Sequence, residues 1–166
     1  MTHELVIARY GLFMIAWSVL DSTVQAAIGK QLQVSPQKTL IVTTGMQFRQ
    51  RVGVLCSLLR LDGTDHSQTL KLLQRAEKNA RRNMLVHGHI IVGKPGQLGF
   101  IKTSAAEEGL SAKSVSFTVD ALQKHILLTN ATTEKLQALL GVSDSDIQCL
   151  VDEAVRIERQ SGNKQF

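Results

Sequence analysis

A chain of 166 residues, 43% hydrophobic but only 4% aromatic, is long enough for one core of ordinary size built mainly from Leu, Ile, Val and Ala, which suits helices better than a sandwich of aromatic cross-strand pairs. Cys56 and Cys149 stand far apart in stretches of helical period, so reduced, buried thiols are expected; with His87 and His89 as the one close pair of ligand type, no metal and no cofactor is expected. Net charge is +5 but uneven: ten Lys or Arg face Asp62, Asp65 and Glu77 between Lys38 and Lys94, a basic centre compatible with RNA, while six acids face Lys135 and Arg156 between Glu134 and Glu158.

In chain order, Glu4 to Leu32 reads as one long helix. Leu5, Ala8, Leu12, Ile15, Ala16, Val19, Leu20, Thr23 and Ala27 follow the helical spacing on one side. Val6, Tyr10, Phe13, Met14, Trp17, Val24 and Ile28 occupy another side, so the helix is expected to be buried against more than one neighbour, a second subunit among them. Its uncharged run from Leu12 to Leu20, bracketed by Arg9 and Asp21, falls short of the roughly 20 apolar residues that span a bilayer. Thr2-His3-Glu4 is not a basic leader, and the helical period continues through Ala27 and Ile28, so the segment reads as part of a cytoplasmic fold with no membrane partner.

Ser35-Pro36 stops this helix and opens the next, because serine caps and proline fits a first helical turn. The second helix is expected to reach about Leu61, with a bend near Thr43-Thr44-Gly45. After the turn Asp62-Gly63-Thr64-Asp65, Ser67 caps a third helix from Gln68 to Val86 or His87, with Leu70, Leu73, Ala76 or Glu77, Ala80 and Met84 as its core stripe. His89 to Gly93 and Leu98 to Lys102 flank Lys94-Pro95-Gly96-Gln97 as a short hairpin, which Ser114 to Phe117 can join. Thr103 to Lys113, small and polar, is expected to be a mobile loop. A helix follows from Thr118 to about Leu128, with a break at Thr129 to Thr132 and helical period again to Leu140. Gly141 ends it, Ser143 caps a last helix to about Gln160, and residues 161–166 form a frayed tail. The expected architecture is one mainly α domain over residues 1–160, a bundle of four to five helices with a small hairpin inserted after the third.

The segment Asn79-Ala80-Arg81-Arg82-Asn83-Met84-Leu85-Val86-His87-Gly88 carries the chemistry-bearing side chains. This stretch resembles the Arg-x(4)-His signature of HEPN domains, with Asn directly after Arg and Gly directly after His. Trp17 to Asp21, together with Phe48-Arg49-Gln50-Arg51-Val52 and Leu55, is similar to small bacterial members of that group, so the resemblance covers about the first 90 residues.

The resemblance implies a HEPN-like helical bundle that dimerises so that motif helices of two subunits line one cleft. It also implies a metal-independent endoribonuclease of toxin or defence type, with RNA as substrate and an antitoxin or other protein as partner. The side chains fit that chemistry. An imidazole near neutral pKa can move the proton of a ribose 2′-hydroxyl or of the leaving oxygen, and a guanidinium can stabilise charge on phosphoryl oxygens. His87 is thus the expected acid or base, Arg82 the charge stabiliser and Asn83 the orienting residue, with Arg49, Arg51, Lys78 and Arg81 as RNA contacts. Asn83 and His87, four apart, share a helix face, whereas Arg82 and His87 lie roughly 140° apart around the axis, so a second subunit helps to focus them on one phosphate. The alternative is a non-catalytic helical module that binds RNA or a protein through the same surface.

Overall fold

Helical periodicity dominates the outcome. The computed structural model of the chain describes residues 3–78, 85, 87–92, 94–106 and 109–162, and among them six α-helices accompany a small antiparallel sheet. The helices are α1 (His3–Leu32), α2 (Pro36–Thr43), α3 (Phe48–Leu61), α4 (Ser67–Lys78), α5 (Val119–Leu140) and α6 (Asp144–Gly162). The strands β1 (His89–Val92), β2 (Gln97–Ala106) and β3 (Gly109–Thr118) lie side by side in chain order. Of the expected tail, Ser161 and Gly162 complete α6 and 163–166 lie outside the described residues.

The residues form two compact units. The first comprises the chain to Trp17 and residues 78–130, and the second comprises 18–77 with 131 onward. In the first unit the sheet supplies a phenylalanine face. Leu98 pairs with Phe117 and Phe100 with Val115 across β2 and β3, and Leu98, Phe100 and Phe117 are buried. The ring of Phe100 lies 5.4 Å from Tyr10 and 5.7 Å from Phe117, and Phe117 lies 5.8 Å from His125, which is itself edge-on to Phe13 at 6.3 Å. This chain of rings joins the sheet to the first turns of α1 and α5.

The second unit is helical, and its contacts are more polar. Gly29 lets α1 and α2 approach closely, since a Cβ there would collide with the Thr39 hydroxyl. Arg51 Nη1 donates to Asp21 Oδ2 at 2.5 Å and its Nε and Nη2 donate to the Thr43 carbonyl, tying α3 to α1 and to the end of α2. Lys30 binds Asp146 Oδ2 at 2.9 Å and the carbonyl of Gly141. Leu20, Val24, Ile28, Val52, Leu55, Leu59, Leu73 and Leu136 fill the interior.

Several expectations change. The single second helix is two helices: Gly45 takes φ 77°, Thr44 leaves the helical region, and Gln47 with Gln50 forms a reciprocal capping pair that starts α3 afresh. The start of α4 lies at Ser67 itself, whose N–H donates to Asp65 Oδ1 at 2.9 Å, so aspartate rather than serine meets an early helix donor. The expected loop Thr103 to Lys113 is largely strand. Its backbone continues the β2–β3 ladder from Lys102↔Lys113 out to Ala106↔Gly109, with 107 and 108 outside the described residues. Small polar side chains carry no apolar alternation, so a ladder built on backbone hydrogen bonds leaves little trace in composition.

The expected break at 129–132 is absent, because Thr129 and Thr133 are buried and Thr129 Oγ1 bonds back to the His125 carbonyl, keeping α5 continuous. Cys56 is buried, and burial pushes its thiol up, but Cys149 is exposed: it lies one residue, about 100° of helix, from the buried Leu150. On α1 the first stripe is divided: Leu5, Leu12, Ile15 and Val19 are exposed, whereas Ala16, Leu20, Thr23 and Ala27 are buried, as are Val6, Phe13, Trp17, Val24 and Ile28 of the second stripe.

Candidate functional site

The motif segment belongs to the first unit. Leu85 and His87 are helical, Gly88 bends the chain, and β1 begins at His89, so His87 stands at the last turn of its helix. Leu85 is buried and His87 exposed, as two positions 200° apart on a helix require. The carbonyls of a final turn have no intrahelical donor ahead of them. One is satisfied from α1: Tyr10 Oη donates to the Leu85 carbonyl at 2.8 Å across 75 residues of sequence. Burial pushes the Tyr10 phenol above its ordinary range, so it stays protonated and able to donate. Packed against Phe100 on one side and bonded to Leu85 on the other, Tyr10 fixes the helix end that carries His87.

Arg81, Arg82 and Asn83 lie outside the described residues, as do Ala80, Met84 and Val86, and of Lys78 only the backbone is described. The pairing of Arg82 or Asn83 with His87 therefore stands as an expectation from sequence. Of the other expected RNA contacts, Arg49 has its side chain 83% exposed while its Nε meets Glu77 Oε1 at 3.1 Å, a tie between α3 and α4 that leaves most of the guanidinium facing water. Arg51 is otherwise engaged. With 15% of its side chain exposed and three donor atoms committed to Asp21 and Thr43, it serves the interior of the second unit rather than a ligand.

His66 Nε2 donates to Asp62 Oδ2 at 2.6 Å, and the backbone N–H of Thr64, with His66 second, holds the Asp62 carboxyl below its usual range. His125 sits in the ring cluster. Tyr10 is the residue that reading by pattern missed as a site component. Its register in an apolar stripe marked it as core, and only a contact between segments remote in sequence brings its hydroxyl to the motif.

Among the described residues no three His, Cys, Asp or Glu side chains gather as a metal would need. The exposed Cys149 lies in a groove of about 220 Å³ in the second unit, beside Lys30 and Asp146, where Lys30 is already committed to its ion pair. Comparison with known proteins brings no further constraint: no family model, curated protein or solved structure matches the chain.

Proposed function

We propose that this protein is a metal-independent endoribonuclease of HEPN type, acting in the cytoplasm as a toxin or defence nuclease with its active cleft at a homodimer interface. The observation that carries this reading is the run Arg82-Asn83-x-x-x-His87-Gly88 ending in an exposed histidine at a helix terminus held by Tyr10. A neutral His87 takes the proton of a ribose 2′-hydroxyl, whose oxygen attacks the adjacent phosphorus. The bond to the 5′-oxygen breaks, and that oxygen leaves with a proton from a second acid, which a two-fold dimer supplies as the other subunit's copy of the histidine. The products are a 2′,3′-cyclic phosphate and a 5′-hydroxyl. Arg82 stabilises the charge on the non-bridging oxygens, and Asn83 orients the imidazole. Lys78 and Arg81 beside the motif, and separately Arg49, are the cations proposed to meet RNA phosphates, a contribution that weakens with salt.

The test is cleavage of structured and unstructured RNAs by purified protein with chelator present. Cleavage that His87→Ala abolishes supports the assignment, and equal cleavage by both removes it. Salt-sensitive RNA binding without cleavage moves the reading to a non-catalytic module, and indifference to RNA moves it to protein partnership.

A further inference from the structure

We propose that Lys102 and Lys113 form a seat for one RNA phosphate beside the motif end, next along the backbone from the phosphate that reacts at His87. The choice of ligand rests on the ribonuclease reading, and the test separates the two. The three strands contain no acid, and their two lysines stand directly opposite each other in the β2–β3 ladder. Side chains alternate along a strand, so Leu98, Phe100 and Lys102 share one face of the sheet with Phe117, Val115 and Lys113. Two apolar rows on that face, Leu98 with Phe117 and Phe100 with Val115, are followed by a row of two cations.

Directly opposed residues have Cβ atoms about 5 Å apart, so like charges there repel, and an anion held by both ammonium groups turns the repulsion into attraction. Lys102 is half-buried at the margin of the ring cluster and Lys113 is exposed. Neither forms an ion pair among the described residues, and the acids Glu107 and Glu108 stand at least five positions from either in the sequence.

Register puts this row at the motif. β1 pairs with β2 from His89↔Ile101 onward, so the chain arriving from His87 and Gly88 enters the sheet one residue short of Lys102. With strands about 4.8 Å apart and a rise of about 3.3 Å per residue, the Lys102 Cα lies about 6 Å from that of His89. Tyr10 fixes the side of the sheet. Its ring lies against Phe100 and its hydroxyl reaches the Leu85 carbonyl, so the motif helix ends on the face that carries Lys102 and Lys113. All of these residues belong to the first unit. A lysine meets a phosphodiester as a point charge and reads no base, so the seat holds the RNA backbone without regard to sequence.

Fluorescence anisotropy on the full chain tests the seat, using a labelled 2′-O-methyl oligoribonucleotide, which lacks the attacking hydroxyl and reports binding without cleavage. Lys102→Gln and Lys113→Gln should each raise Kd about fivefold for U-rich and A-rich oligomers alike, and the double variant should lower the slope of log Kd on log salt by about 0.7, the share of one single-strand phosphate. Lys102→Arg with Lys113→Arg keeps both charges and should stay within about twofold of wild type, as should Lys94→Gln, which removes one charge at the far end of β1. If the double glutamine variant fails to fold, Lys113→Gln at its exposed position decides. Oligomer binding that the glutamine variants retain in full overturns the seat, and so does a wild type that binds no oligomer. Equally tight binding of poly-glutamate, lost in the same variants, assigns the pair to an acidic protein and overturns it too. The ribonuclease reading fails separately: lysine-dependent binding with no cleavage of unmodified RNA removes that reading and leaves the seat standing.

Discussion

In the second unit polar side chains clamp helix to helix: Arg51 to Asp21 and Thr43, Lys30 to Asp146 and Gly141, Arg49 to Glu77. In the first unit the joints are rings, running from Tyr10 through Phe100 and Phe117 to His125 and Phe13, with one long-range hydroxyl bond to Leu85. The difference matters for function. Where cations are spent on internal acids, as Arg51 is, they are not available to a ligand. Where packing is apolar, the imidazole at the helix end can face water.

The largest expected effect lies in the ring cluster. Phe100→Ala removes a fully buried ring with two aromatic neighbours and should cost about 3–5 kcal/mol in urea unfolding, with chemical-shift changes concentrated in the first unit. Uniform shifts through both units would break the contrast.

Arg51→Ala should cost about 2–3 kcal/mol, because it strands the carboxylate of Asp21, and Asp21→Asn added to it should recover part of that loss. Additive losses would show that the clamp is not a coupled pair. Tyr10→Phe keeps the ring and removes one hydrogen bond, about 1 kcal/mol. Faster amide exchange confined to residues 85–90 would place the effect at the motif end. In an active enzyme it should lower kcat several-fold with KM unchanged, since positioning and not binding is lost.

The smallest effect is a pH dependence. The backbone N–H of Ser143, and then Lys30, lowers the Asp146 carboxyl from 3.8 to about 2. A group depressed in the folded state stabilises above its unfolded value and loses that contribution as pH falls from 3.8 through about 2. Asp146→Asn should flatten acid unfolding in that window. An unchanged acid limb would show the contact to be too solvated to matter.

Helix punctuation was legible in the residues alone. Ser35-Pro36 caps α2 by accepting the Lys38 N–H; Gly141 takes φ 61° after α5; Ser143 and Asp146 cap α6 reciprocally; and the turn at Gly96 joins β1 to β2. These are contacts within a few residues, where side-chain chemistry settles the backbone.

Only the tertiary structure decided which side of α1 is buried, that the β2–β3 ladder runs on through polar residues, and that Arg51 turns inward to Asp21. The bond from Tyr10 to the motif carbonyl belongs with these. Each depends on a partner distant in the chain. Periodicity states that a face is apolar or that a side chain can donate, while the surface or acceptor that answers it is fixed by packing between segments.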